Sequence, residues 1–135
     1  MAKPILCLDF DGVIHSYVSG WQGPTTIPDP PVPGSFEFMR AALEHFTVAV
    51  FSARSHQPGG IAAMQTWLAE WAARELPAGA DLAFLDALTW PTEKPLAFVT
   101  LDDRAVTFTG EWPSLEWLRA FRPWYKRPPP TAESP

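Results

Sequence analysis

Three short apolar runs that each stop at polar residues constrain this chain more than any other feature. "ILCL" (residues 5–8) gives way to Asp9 and Asp11, "TVAVF" (47–51) to Ser52, and "LAFVTL" (96–101) to Asp102 and Asp103. Such short runs of β-formers read as strands, and a continuous apolar run such as residues 5–8 suits a strand covered on both faces in a parallel sheet. Segments with helical spacing lie between them. Ser35 is placed to cap a helix through "FEFMRAALEHF", with Phe36, Met39, Leu43 and Phe46 on one face. Gly60 to Leu76 reads as the longest helix, with Met64, Trp67, Leu68 and Trp71 on one side and Pro77 just past its end.

Strands alternating with helices imply βαβ units. The fold class expected is therefore α/β: a three-layer, Rossmann-like parallel sheet with helices on both faces. "LAFLDALTW" (82–90) fits a helical turn, a short strand, or one after the other. "AVTFTG" (105–110) fits a short strand, and Ser114 starts a last helix through "LEWLRAF". Gly12 to Gly34 is punctuated by glycine and proline throughout, as a loop is. Residues 1–124 form one domain on this reading, and residues 125–135, in "PWYKRPPPTAESP", form a proline-rich, extended tail.

Composition narrows the function. A chain of 135 residues supports one sizeable core. Its net charge of −5 gives no general attraction for nucleic acid or an anionic membrane, although a net count leaves room for a local basic groove. Cys7 is the only cysteine, so an intrachain disulfide is excluded and a cytoplasmic setting is expected. The apolar run at the start is too short for a secretory signal, and no later run approaches a membrane span.

The polar residues at the strand ends carry the chemistry, because ligands of open α/β sheets bind outside the carboxyl ends of the strands. Asp9 and Asp11 are like charges one residue apart, and each raises the other's pKa unless a cation or a shared proton compensates. With Asp102 and Asp103 they would form an oxygen-rich shell of the kind that suits Mg²⁺. Ser52 and Lys94 offer a hydroxyl donor and a positive charge, as a bound phosphate requires. A carboxylate beside the metal can attack phosphorus, and a second carboxyl can protonate the leaving oxygen and then activate water.

In this order the residues resemble the haloacid dehalogenase superfamily over residues 5 to 121. "DFDGVI" is similar to its first motif, Ser52 in "VFSAR" to its second, Lys94 to its third and "LDD" to its fourth. The resemblance implies a phosphomonoester hydrolase that depends on Mg²⁺. Asp9 would be the nucleophile and a metal ligand. Asp11 would be the general acid and base, with its backbone carbonyl on the metal. Ser52 and Lys94 would hold the phosphoryl group, and Asp102 and Asp103 would complete the metal shell. True dehalogenases of the family lack the second aspartate, so Asp11 points to phosphoryl transfer. The gaps between motifs leave no room for a cap domain, which implies an open site for a phosphorylated small molecule or macromolecule. A nucleic-acid end falls within that range, but the charge does not point to it. The loop bearing His15, Tyr17 and Trp21 would serve as a small flap.

Blander readings stand beside these. Arg54 and His56, just past Ser52, fit either a substrate contact or a solvated loop, and His15 fits a substrate contact or a flap residue. The three histidines lack zinc spacing. Met64, Trp67 and Trp71 read as core, and Trp112, Trp117 and Trp124 as packing for the last helix. "KRPPP" fits a proline-recognition ligand or a plain tail. Two other classes of function compete: a receiver-like signalling domain, and a catalytically silent domain that binds phosphate. Receivers put an adjacent acidic pair on the first strand, whereas here the adjacent pair comes late.

Overall fold

A computed structural model describes residues 2–127. Its centre is a three-stranded parallel sheet in the order β2-β1-β3, formed by β1 (Ile5–Asp9), β2 (Thr47–Phe51) and β3 (Val99–Leu101). Cys7 pairs with Ala49 on one side and with Thr100 on the other. Beyond β2, Thr89 makes a parallel bridge to Ala49, donating its N–H to the Val48 carbonyl at 2.9 Å and accepting from the Val50 N–H at 2.9 Å. The chain thus steps outward from β1 to β2 to Thr89, then returns to the far side of β1 as β3. The order reverses between β1 and β3, and that is where α/β sheets open a binding crevice.

The helices follow from this path. α1 (Ser35–Ala42) and α2 (Gly60–Glu75) sit in crossovers that step in the same direction, and right-handed crossovers of that kind lie on the same face. Both helices share one core with Leu6, Leu8, Val48 and Val50, through Phe36 and Met39 of α1 and Met64, Trp67, Leu68 and Ala72 of α2. The expectation of helices on both faces is therefore corrected: α1 and α2 occupy one face, and α3 (Leu115–Arg119) buries none of its residues. The opposite face of β1 is still covered, since Cys7 is buried along with Leu6 and Leu8.

Several local readings hold and others shift. "LAFLDALTW" is one thing after the other, a 3-10 turn over Ala83–Ala87 followed by the bridge at Thr89. Ser35 is the first residue of α1 and not its cap; Gly34 takes that place, and the helix stops at Ala42, four residues before Phe46. Ser114 does cap α3, its hydroxyl accepting from the Trp117 N–H at 3.1 Å. β3 is shorter than its apolar run and lies at the sheet edge, so Val99 and Leu101 stay exposed. Trp112 and Trp117 are exposed as well and do not pack α3 onto the sheet. Trp124–Lys126, expected to belong to an extended segment, form a 3-10 turn docked on the loop after β1, because Trp124 donates to the Gly12 carbonyl at 2.7 Å. Residues 128–135, which hold the rest of the expected tail, lie outside the described residues. Among the described residues no helix is long and apolar enough to cross a membrane.

Candidate active site

The site is built where β1 ends. Phe10, the residue between the two aspartates, points into the core and is fully buried, edge-on to Trp67 at 5.1 Å. Its carbonyl accepts from the N–H groups of Ile14 and His15 at 3.0 and 2.9 Å, which curls the chain tightly after the strand. In an extended strand Asp9 and Asp11 would face the same way. The curl parts them. Gly12 completes the turn with φ +84°, a left-handed conformation that a side chain would strain, and an added Cβ would lie 2.7 Å from the Tyr125 ring.

Asp9 faces the crevice between β1 and β3. Carboxylate oxygens of Asp9, Asp102 and Asp103 lie within 4.8 Å of one another. Burial, then a hydrogen bond with Asp103 and the charges of Asp103 and Asp102, push the Asp9 carboxyl up to about 9. Burial acts in the same direction on Asp103, but hydrogen bonds from Asp9 and Tyr125 outweigh it and hold Asp103 below its ordinary value. Physically, Asp9 and Asp103 share one proton when nothing else neutralises them. A pocket of about 130 Å³ adjoins the acids, lined by Asp9, Ser52, Lys94, Thr100 and Asp102 among others. Ser52 is buried, and its hydroxyl accepts from the Arg54 N–H at 3.1 Å, which leaves its own proton free to donate. Lys94 is exposed at the rim. Five of the residues expected from the sequence, Asp9, Ser52, Lys94, Asp102 and Asp103, are thus brought together.

Asp11, Arg54 and His15 are brought together too, but elsewhere. Arg54 is fully buried and gives Asp11 a forked pair of bonds, from Nε at 3.0 Å and from Nη2 at 3.1 Å. Its Nη1 donates to the carbonyls of Gly23, Pro24 and Thr26 at 2.9 to 3.1 Å, and its guanidinium stacks 4.8 Å from the Trp21 ring. Arg54 is therefore a clamp that pins the 12–34 loop to the Asp11 carboxylate; burial leaves it no substrate contact and no place in a solvated loop. Gly60 lets α2 start against this clamp, since a Cβ there would strike the Arg54 carbonyl.

His15 is fully buried as well, and a direct substrate contact is corrected for it on the same ground. Its Nε2 accepts from the Asp29 N–H at 3.1 Å, which assigns the ring proton to Nδ1, and Nδ1 donates to Asp11 at 2.8 Å. Asp29 in turn is held by the Ser19 N–H and hydroxyl at 2.8 and 2.6 Å. The expected mutual repulsion of Asp9 and Asp11 does not govern this turn, because Asp11 already has a full set of donors.

Sequence reasoning missed two residues at the site. The Tyr125 hydroxyl donates to Asp103 Oδ2 at 2.8 Å, and burial together with that bond pushes the phenol up to about 12. Trp124 tethers the same turn to Gly12. The available signal was an aromatic pair inside an otherwise proline-rich, charged stretch. An oxygen-only donor set of three carboxylates, with a shared proton as the alternative to a cation, fits a hard divalent ion such as Mg²⁺. Geometrically this is an acidic crevice at a strand-order reversal, with a hydroxyl and a lysine on its wall. Compared with protein-family models, with curated proteins and with solved structures, the chain matches none of them.

Proposed function

We propose that this chain is a Mg²⁺-dependent phosphomonoester hydrolase of the haloacid dehalogenase type, without a cap domain, working through a phosphoaspartate on Asp9. One observation carries the reading: Asp9 and the Asp102–Asp103 pair, far apart in sequence, converge at the ends of adjacent parallel strands beside Ser52 and Lys94. Asp9, Asp102 and Asp103 would hold the ion, with the backbone carbonyl of Asp11. When bound, the ion supplies charge neutralisation that frees the Asp9 carboxylate of its proton and screens the incoming phosphate.

The chain's own residues do the rest. The Ser52 hydroxyl and the Lys94 ammonium bind the phosphoryl oxygens. Asp9 attacks phosphorus, the bond to the leaving oxygen breaks, and that oxygen takes a proton from Asp11. Asp11 then accepts a proton from water as the water attacks the acyl phosphate, releasing inorganic phosphate and restoring Asp9. Arg54 and His15 hold Asp11 as a carboxylate in the resting chain, so this exchange requires their bonds to give way as Asp11 takes up its proton. Substrates are phosphorylated small molecules or macromolecules that an open crevice admits.

A second reading, a phosphate-binding domain without turnover, draws on the hold that Arg54 and His15 have on Asp11. Hydrolysis of an aryl phosphate separates the two. The first reading expects Mg²⁺-dependent turnover that Asp9→Asn reduces to background; phosphate binding with no turnover at any Mg²⁺ concentration selects the second. Wild-type rates from Asp9→Asn would remove Asp9 as nucleophile.

A further inference from the structure

The carboxyl-terminal turn makes contacts that a mere tail would not. Trp124–Lys126 lies across the loop after β1, and its two aromatic residues each engage a functional segment. Trp124 Nε1 donates to the Gly12 carbonyl at 2.7 Å, one residue past Asp11. The Tyr125 hydroxyl donates to Asp103 Oδ2 at 2.8 Å and accepts from Arg104 Nη2 at 3.3 Å. Edge-on contact with the Tyr17 ring at 5.7 Å steadies the Tyr125 ring. Tyr17 itself sits at φ +62°, a conformation that a bulky residue adopts only when its surroundings impose it. Gly12 leaves the space that the Tyr125 ring and the Asp103 carboxylate occupy together.

We propose that Tyr125 is a positioning residue: its hydroxyl fixes the Asp103 carboxylate, so that the carboxyl-terminal turn completes the divalent-cation site. The inference rests on the cation reading given above. Asp103 lies just past the short edge strand β3, where a hydrogen bond to one oxygen decides which oxygen faces the crevice. With Oδ2 engaged by Tyr125 and with Arg104 Nε 3.8 Å away, Oδ1 is the oxygen left to turn toward Asp9 and Asp102. Hydrogen-bonded partners of ligating carboxylates set ligand orientation, and their loss costs about 10–100-fold in metal affinity.

The test is calorimetric titration of the full chain with Mg²⁺ and with Mn²⁺. Tyr125→Phe removes the hydroxyl alone and keeps the ring against Tyr17. Its cation affinity is expected to fall about 10-fold or more, with kcat on an aryl phosphate restored at saturating Mg²⁺. Trp124→Phe, which removes the tether to Gly12 and shrinks the ring that packs edge-on against Tyr125, is expected to weaken the cation in the same direction. Wild-type affinity in Tyr125→Phe overturns this inference and leaves the cation site standing. No cation binding by the wild type overturns the parent reading, and this one with it.

Discussion

Asp9 and Asp11 are separated by one residue and live in opposite surroundings. Asp11 is met by a buried guanidinium and an imidazole N–H, with three loop carbonyls completing the coordination of Arg54. Asp9 is met by two more carboxylates and by the single N–H of Phe10 at 2.8 Å. One side of the turn is electrostatically complete, and the other lacks positive charge within its own shell. A folded chain tolerates such an imbalance only by binding protons or ions there. The balanced side holds the loop; the unbalanced side is where a ligand is needed.

The largest effect expected from this contrast lies on the balanced side. Arg54→Leu strands the Asp11 carboxylate and frees the 12–34 loop, and breaking a buried pair in this way costs about 3–5 kcal/mol. Urea denaturation of the metal-free protein measures it. An Asp11→Leu, Arg54→Leu double variant should recover a large part of that loss, because the pair is then removed instead of broken. A loss below about 1 kcal/mol for Arg54→Leu alone would mean that water reaches Asp11 and that the two sides do not differ. Asp11→Asn is expected to slow turnover with metal binding largely intact and to carry a stability cost as well, since Arg54 would keep its charge and lose its counter-ion.

On the unbalanced side the sign reverses. Asp9→Asn replaces a carboxyl that must hold a proton in the metal-free crevice with an amide that needs none, so the metal-free variant is expected to match or exceed the wild type in stability. Mg²⁺ should also stabilise this side: at a free concentration about 100 times its dissociation constant it stabilises the wild type by about 2.7 kcal/mol. The same addition should leave Asp9→Asn nearly unmoved in a thermal melt. Equal Mg²⁺ shifts in both proteins would place the ion somewhere other than this crevice.

Legibility in the sequence divides along the same line. Asp9, Ser52 and Asp102 were readable because each ends an apolar run, and a parallel sheet aligns such ends whatever the distance along the chain. α2 was readable because Met64, Trp67, Leu68 and Trp71 carry a helical period, and all four pack in or against the core. Arg54 was not, since its partners are Asp11 and the carbonyls of Gly23, Pro24 and Thr26, and a backbone carbonyl leaves no mark in a sequence. Nor was Asp29, which acts on His15 through its own N–H. Trp124 and Tyr125 were hidden by the prolines around them, which describe the stretch on average but not the two side chains that dock. The single helical face follows from crossover direction, a property of strand order that the order of motifs does not contain.

The pH dependence of the metal-free protein separates the two sides without any mutation. Asp9 is held protonated up to about 9, whereas in the unfolded chain it loses its proton near the ordinary carboxylate value. Across that window the native state binds more protons than the unfolded state, so stability falls as pH rises. Asp103 is shifted the other way, so its contribution is lost only in acid, as pH falls through its lowered value. Between pH 5 and 9 metal-free stability should therefore decline through Asp9, with the buried Cys7 thiol, also raised, adding in the same direction only at the alkaline end. Saturating Mg²⁺ should flatten that decline, because an ion replaces the proton, and Asp9→Asn should abolish it. A metal-free stability that rises from pH 5 to 9 would mean that Asp9 is already ionised there, and the imbalance that marks it off from Asp11 would be gone.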